Sequence, residues 1–196
     1  MSTHTRVYDS YGAARKVVAD LEAAGVGSSD VSLMANRHVS ADYADVDDVA
    51  TGAGTGAGVG AAVGGGAGLL AGLGLLAIPG LGPIVAAGWL ASTAVGALAG
   101  AATGGLIGAL TDAGVSEEHA NVYAESVRRG GTMVTARVPD AEDARTAAIM
   151  DRAIPIDPVK RGDEYRSAGW TRFDPEAEPY RPSDAEIEVI RRPYLG

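Results

Sequence analysis

The chain contains no cysteine, and its aromatic residues are limited to one phenylalanine, two tryptophans and seven tyrosines. The first absence excludes a disulfide framework, a thiolate nucleophile, a thiolate zinc site and a cysteine-ligated iron–sulfur cluster. Basic residues are also scarce, with 16 Lys and Arg against 25 Asp and Glu and a net charge of −9. Tracking phosphates needs a concentrated Lys/Arg surface, and so does attraction to an anionic lipid surface; no nucleic acid is expected as a partner. Residues 1–10 are polar and lack an apolar run followed by a small-residue cleavage site, so a cytoplasmic location is expected. The length of 196 residues suits one compact domain with additions.

The most conspicuous lack is local. From Val49 to Thr111, 63 consecutive residues carry no Asp, Glu, Lys or Arg, and 19 of the 28 glycines fall inside that run. Both flanks have the composition of ordinary soluble protein. The predicted organisation is therefore residues 1–48 as the first half of an α+β domain, 49–111 as an insert, 112–153 as the second half, and 154–196 as a C-terminal tail.

In the first flank, Thr5 to Asp9 reads as a strand and Ser10 as the N-cap of a helix over Tyr11–Ala24. Ala14, Val17, Val18 and Leu21 share one face, and Gly25 supplies the stop. Val31 to Ala35 is a second strand. In the second flank, Ser116 caps a helix that opens with Glu117 and Glu118 and closes with Arg128 and Arg129, charges placed to suit the helix dipole. Thr132 to Val138 alternates as a strand, and a further helix is predicted over roughly Ala141 to Arg152. The order β-α-β, insert, α-β-α predicts an α+β, ferredoxin-like sandwich that lacks one central strand. Either residues 41–49 contribute an irregular strand, or a three-stranded sheet gains an edge from another subunit.

Inside the insert the glycines keep a register of four. Gly52, Gly56, Gly60, Gly64, Gly68 and Gly72 form one run; Gly88, Ser92, Gly96, Gly100, Gly104 and Gly108 form another. Between them, Ile78 to Ile84 holds two prolines and two glycines and reads as a turn. The spacing predicts a helical hairpin in which each glycine ridge admits another helix backbone at close range, the glycine-zipper geometry. Such helices need partners: eleven glycines between Thr51 and Leu76 penalise the first arm by on the order of 10 kcal/mol against alanine. Large apolar residues gather toward the tip, among them Leu69, Leu73, Leu76, Leu81, Ile84, Trp89 and Leu90. Burial in a homo-oligomer is the leading expectation. Insertion into a lipid bilayer, with an inner-membrane location, is the alternative; the first arm is poor in strong apolar residues and its flanking charges are acidic.

Several stretches bear on the family. They are Val7-Tyr-Asp-Ser10 with its following helix, the block ending Leu76-Ala-Ile-Pro-Gly-Leu-Gly-Pro-Ile84, and Gly104-Gly-Leu-Ile-Gly-Ala-Leu-Thr-Asp-Ala-Gly-Val-Ser-Glu-Glu-His-Ala120. Together with Tyr123 to Gly131 they resemble the bacterial general stress protein 17M-like family, also called low-temperature-induced or heat-induced stress proteins. The resemblance covers about residues 5–150. It implies a stress-linked protein of no established catalytic activity, with no catalytic residues to carry over.

The remaining chemical motifs are weak. Gly66-Ala-Gly68 and Gly72-Leu-Gly74 sit in loose dinucleotide patterns with neither a preceding strand nor a ribose-binding acid, and the block has no Walker lysine. His4, His38 and His119 lack ligand spacing, and Asp42, Asp45, Asp47 and Asp48 lack the glycine and terminal glutamate of a calcium loop. No catalytic, cofactor-binding or metal residues are assigned, and an enzyme is not expected. In the tail, Tyr165, Trp170, Phe173, Tyr180 and Tyr194 alternate with arginines, and Ser183 with Glu186 forms a capping box. Trp170, Phe173 and Tyr180 are read as anchors that strap the tail to its own or a neighbouring subunit.

Overall fold

The computed structural model describes residues 1–39, 74–78, 80–90, 105–178, 181 and 183–191. Five strands, β1 (Ser2–Tyr8), β2 (Val31–Asn36), β3 (Gly74–Ile78), β4 (Gly82–Ala87) and β5 (Thr132–Val138), form one antiparallel sheet in the order β1-β5-β2-β4-β3. The helices are α1 (Tyr11–Ala23), α2 (Gly105–Asp112), α3 (Glu117–Arg128), α4 (Asp143–Asp151), α5 (Pro158–Ser167) and α6 (Asp184–Arg191).

Local chemistry explains the flanks. Ser10 accepts a hydrogen bond from the Ala13 N–H to cap α1, and Ser116 does the same from His119 to cap α3. Gly25 and Gly130 follow the two helices with φ of 95° and 101°, the left-handed region that ends a helix. The helix expected from Ala141 begins instead as a 3₁₀ turn, Asp140–Glu142, and becomes α4 at Asp143. Asp140 does not cap it, because its carboxylate binds the Met1 ammonium at 2.8 Å and the Ser2 hydroxyl at 3.0 Å.

Alternation along the strands divides the core in two. Tyr8, Val31, Leu33, Ala35, Val134, Ala136 and Val138 pack with α1 and with Ile149 and Met150 of α4 on one face. Val7, Met34, Ile84, Ala86 and Met133 pack with α2, α3 and Phe173 on the other. The fold is therefore mixed α/β, with helices on both faces of an antiparallel sheet. In the ferredoxin-like arrangement helices sit on one face, so the two-sided cover is a departure from that expectation. The paired split units are present: β5 lies between β1 and β2, and β2 lies between β4 and β5.

The strand missing from the sequence reading comes from the glycine block. Residues 74–87, predicted to flank the turn as helix, form a β-hairpin, and β4 pairs with β2 from Leu33↔Ala87 to Asn36↔Ile84. The expected turn is present: Gly80 adopts φ 74° and the Leu81 N–H donates to the Ile78 carbonyl at 3.0 Å. Apolar runs such as Leu75 to Ile78 suit a buried strand as well as a buried helix, and pairing on the open edge of β2 decides for the strand. Residues 41–49, the other candidate for the missing strand, lie outside the described residues.

Candidate functional site

Of the zipper positions, Gly52, Gly56, Gly60, Gly64, Gly68, Gly72, Ser92, Gly96, Gly100 and Gly104 lie outside the described residues. Gly88 does not face another helix. It follows β4 at φ 86°, and a Cβ there would stand 2.1 Å from the Val31 carbonyl oxygen and 2.8 Å from the Ser32 Cα. Its lack of a side chain serves strand-to-strand approach, the physical reason it leaves the helix ridge. Beside it the Leu90 N–H donates to the Ser32 hydroxyl at 3.0 Å. Gly108 is helical, in α2, and a Cβ there would meet nothing within 4 Å among the described residues.

Gly74 pairs with Ala86, so the chain enters β3 and leaves β4 at the same end of the hairpin, about 5 Å apart.

The C-terminal segment, expected to be extended, begins with a helix. Asp157 caps α5 by accepting from the Val159 and Lys160 N–H groups, and Pro158 occupies the first turn. An Asp-Pro pair is a helix-start signal present in the sequence and not used in its reading. α5 is fastened to α3 by the Tyr165 hydroxyl, 3.1 Å from Ser126 Oγ, and by the Arg166–Glu118 pair. The Arg161 guanidinium holds Asp9 through two bonds of 2.8 Å, which with burial in opposition keeps its pKa above the ordinary arginine value. The Arg129 guanidinium stacks on the Tyr165 ring, 4.5 Å from its centre, and Trp170 meets that ring edge-on at 5.6 Å.

At the centre of this seam lies Glu125, whose carboxylate binds Arg128 and Arg129, each with a contact of 2.6 Å. Burial would push its pKa up, but the two guanidiniums outweigh that and hold it below the usual carboxylate range. An acid three and four residues before paired arginines marks this cluster in the sequence; its distant partner Tyr165, on which Arg129 stacks, has no sequence signal.

Phe173 is buried in the same cluster as Ile78, Leu81 and Ile84, and its N–H donates to Asn121 Oδ1 at 3.2 Å. Trp170 is partly buried, and Tyr180 lies outside the described residues. His4 pairs with Asp143 at 2.9 Å and is largely covered, not a free surface residue. Among the described residues no group of three His, Asp or Glu could hold a metal ion. An open groove of about 270 Å³ between α1 and α4 is lined by Asp20, Ala23, Ala24, Arg145, Ile149 and Arg152, which bring together no nucleophile with a base.

No family model, no curated protein and no solved structure matches the chain.

Proposed function

We propose that this chain is a non-catalytic bacterial stress protein that associates with copies of itself through its glycine-rich runs, the mixed α/β domain serving as the platform that carries them. The observation that carries the reading is the four-residue register of Gly52 to Gly72 and of Ser92 to Gly108 in the sequence, set beside the pairing that puts the start of β3 and the end of β4 at one end of the hairpin. A ridge stripped to glycine is costly unless a second backbone fills it, and two such ridges can pair with each other and with those of another copy. Gly88, held against β2, is left out of the interface, whereas Gly108, helical and with open space around its Cα among the described residues, stays within it. The stress role rests on the family resemblance. Among the described residues no helix is long and apolar enough to cross a membrane.

The test is the mass of the purified protein in detergent-free buffer by light scattering. A defined assembly is expected, reduced by Gly60→Leu or Gly100→Leu and less affected by Ala62→Leu, which lies off the ridge. A monomer, or equal effects from on-ridge and off-ridge changes, would remove the zipper reading; recovery only in the membrane fraction would favour bilayer insertion.

A further inference from the structure

The C-terminal segment passes from one face of the sheet to the other twice. Ala153 belongs to the α1/α4 face and Ile156 to the opposite one; Phe173 lies on that second face, and Ile187 of α6 packs back against the first. Between these crossings the chain touches the turn of the β3–β4 hairpin. A Cβ on Gly80 would fall 2.5 Å from the Asp174 carbonyl oxygen, 2.8 Å from the Pro175 Cα and 2.9 Å from the Phe173 ring. Turn and tail therefore meet backbone to backbone with no room for one methyl group.

We propose that residues 170–177 form a latch that locks the hairpin turn against α3, with Phe173 as its bolt, and that opening the latch frees the hairpin joining the two glycine-rich runs. The Phe173 ring is buried in one cluster with the hairpin residues Ile78, Leu81 and Ile84 and the helical residues Leu106 and Tyr123. Asn121 ties the latch backbone to α3: its Oδ1 accepts from the Phe173 N–H at 3.2 Å, and its Nδ2 donates to the Glu117 carbonyl of its own helix at 2.8 Å. The Asp174 carboxylate and carbonyl then accept from the Glu176 and Ala177 N–H groups, turning the chain back over Gly80.

Two features make this a latch instead of permanent core. Arg172, Asp174, Pro175 and Glu176 are all exposed, so one buried ring does the fastening. Among the described residues the hairpin pairs with the rest of the sheet through four residue pairs of β4 with β2. Local opening follows the regions with the fewest buried contacts, so loss of the bolt loosens the hairpin first.

Hydrogen exchange on the full-length chain, followed by mass spectrometry, tests the latch without reference to assembly, so it stands or falls apart from self-association. Phe173→Ala and Gly80→Ala are expected to accelerate exchange in 74–78 and 82–87 by about tenfold or more, while β1 and β5 change by less than about twofold. Gly25→Ala is the control for backbone strain: its φ is also positive, 95°, but its Cβ would meet nothing within 4 Å, and it should leave hairpin exchange unchanged. Unaltered hairpin exchange in Phe173→Ala, or equal acceleration across all five strands, overturns the proposal. Should that variant fail to fold, Asn121→Ala and Phe173→Leu are judged by the same two criteria.

Discussion

The two edges of the sheet are finished in opposite ways. At the β1 edge the chain itself closes the open backbone: the Ile156 N–H donates to the Val7 carbonyl at 2.8 Å, and the Arg6 guanidinium to the Thr5 carbonyl at 3.0 Å. Burial works against the charge of Arg6, but the 2.8 Å bond to Asp151 together with the field of that carboxylate and of Tyr123 and Tyr8 outweighs it and keeps the pKa raised. At the other edge β3 runs Gly-Leu-Leu-Ala-Ile, without charge or proline, and among the described residues no strand pairs beyond it. Edge protection thus arises from the chain that happens to pass by, and β3 itself has none of the charged or proline residues that usually blunt an edge. The difference teaches how unevenly the edges are finished: the β1 edge receives donors from Ile156 and Arg6, whereas among the described residues the β3 edge pairs with no further strand.

The largest effect is expected where the unsealed half joins the sealed half. Gly88→Ala combines a positive φ with a Cβ 2.1 Å from the Val31 carbonyl oxygen, and relief requires β4 to move off β2. A loss of about 3–5 kcal/mol is expected, larger than strain alone, because pairing on both sides of β4 suffers. Urea denaturation measures it, and exchange should quicken in 74–87 before β1 and β5. A cost below about 1 kcal/mol would mean that the two halves are not joined as closely as the structure has them.

How far this division could be read beforehand depends on the range of the forces involved. Ser10, Ser116 and the apolar spacing of Ala14, Val17, Val18 and Leu21 act within one or two turns, and α1, α3 and β5 fall within a residue of their predicted bounds. The glycine register was misleading over 74–88, because periodicity counts residues and cannot see that β2 has an open edge to be filled. Gly88 carries the spacing of a helix ridge yet serves a strand. The bond from Asn121 to Phe173 spans 52 positions, and no local pattern announces it. Asp157-Pro158 acts at the same short range as the serine caps and is legible as a helix start.

A second, smaller effect concerns Tyr8, at the end of the sealed strand. Its hydroxyl donates to the Met150 carbonyl at 2.8 Å, and burial pushes its pKa up, with Arg6 in opposition. A phenol raised in the folded state favours folding fully below its unfolded pKa of about 10 and loses that contribution as pH rises through and beyond that value. Stability is therefore expected to fall on the alkaline side. Tyr8→Phe should cost about 1 kcal/mol at neutral pH and flatten the alkaline decline. What decline remains belongs chiefly to Tyr123, also raised by burial, on the opposite face. Denaturant midpoints at pH 7 and pH 10.5 for the two proteins test this; parallel decline in both would assign the alkaline loss elsewhere.

Arg6→Ala unseals the Thr5 carbonyl and leaves Asp151 without that partner. Because Asp151 is more than half exposed, water replaces much of the lost bond and the cost should be about 1 kcal/mol or less. The informative readout is light scattering on mild heating. If the guanidinium guards the edge, Arg6→Ala scatters earlier than a variant of equal stability altered on the α1 surface, such as Lys16→Ala combined with a milder core change. Coincident onsets would leave Ile156 as the only guard of β1.

The smallest effect has the opposite sign and bears on what the seal costs. To bring Ile156 over the edge, the chain turns at Ile154, which takes φ 51° although it is β-branched and 80% exposed. That conformation is crowded for a branched side chain, with a strain of order 1 kcal/mol or more, and the exposed side chain recovers little through burial. Glycine removes the crowding but adds freedom to the unfolded chain, which offsets roughly 0.5–1 kcal/mol of the gain; asparagine tolerates the left-handed region without that loss. Ile154→Asn should therefore raise the urea midpoint by the equivalent of about 0.5–1 kcal/mol at constant slope, and Ile154→Gly by less. If the seal is strained as the geometry has it, both changes leave exchange at Thr5 and Val7 no faster. A lower midpoint for Ile154→Asn would mean that the isoleucine side chain itself holds the crossing in place, and the β1 edge would then be guarded by packing as well as by hydrogen bonds.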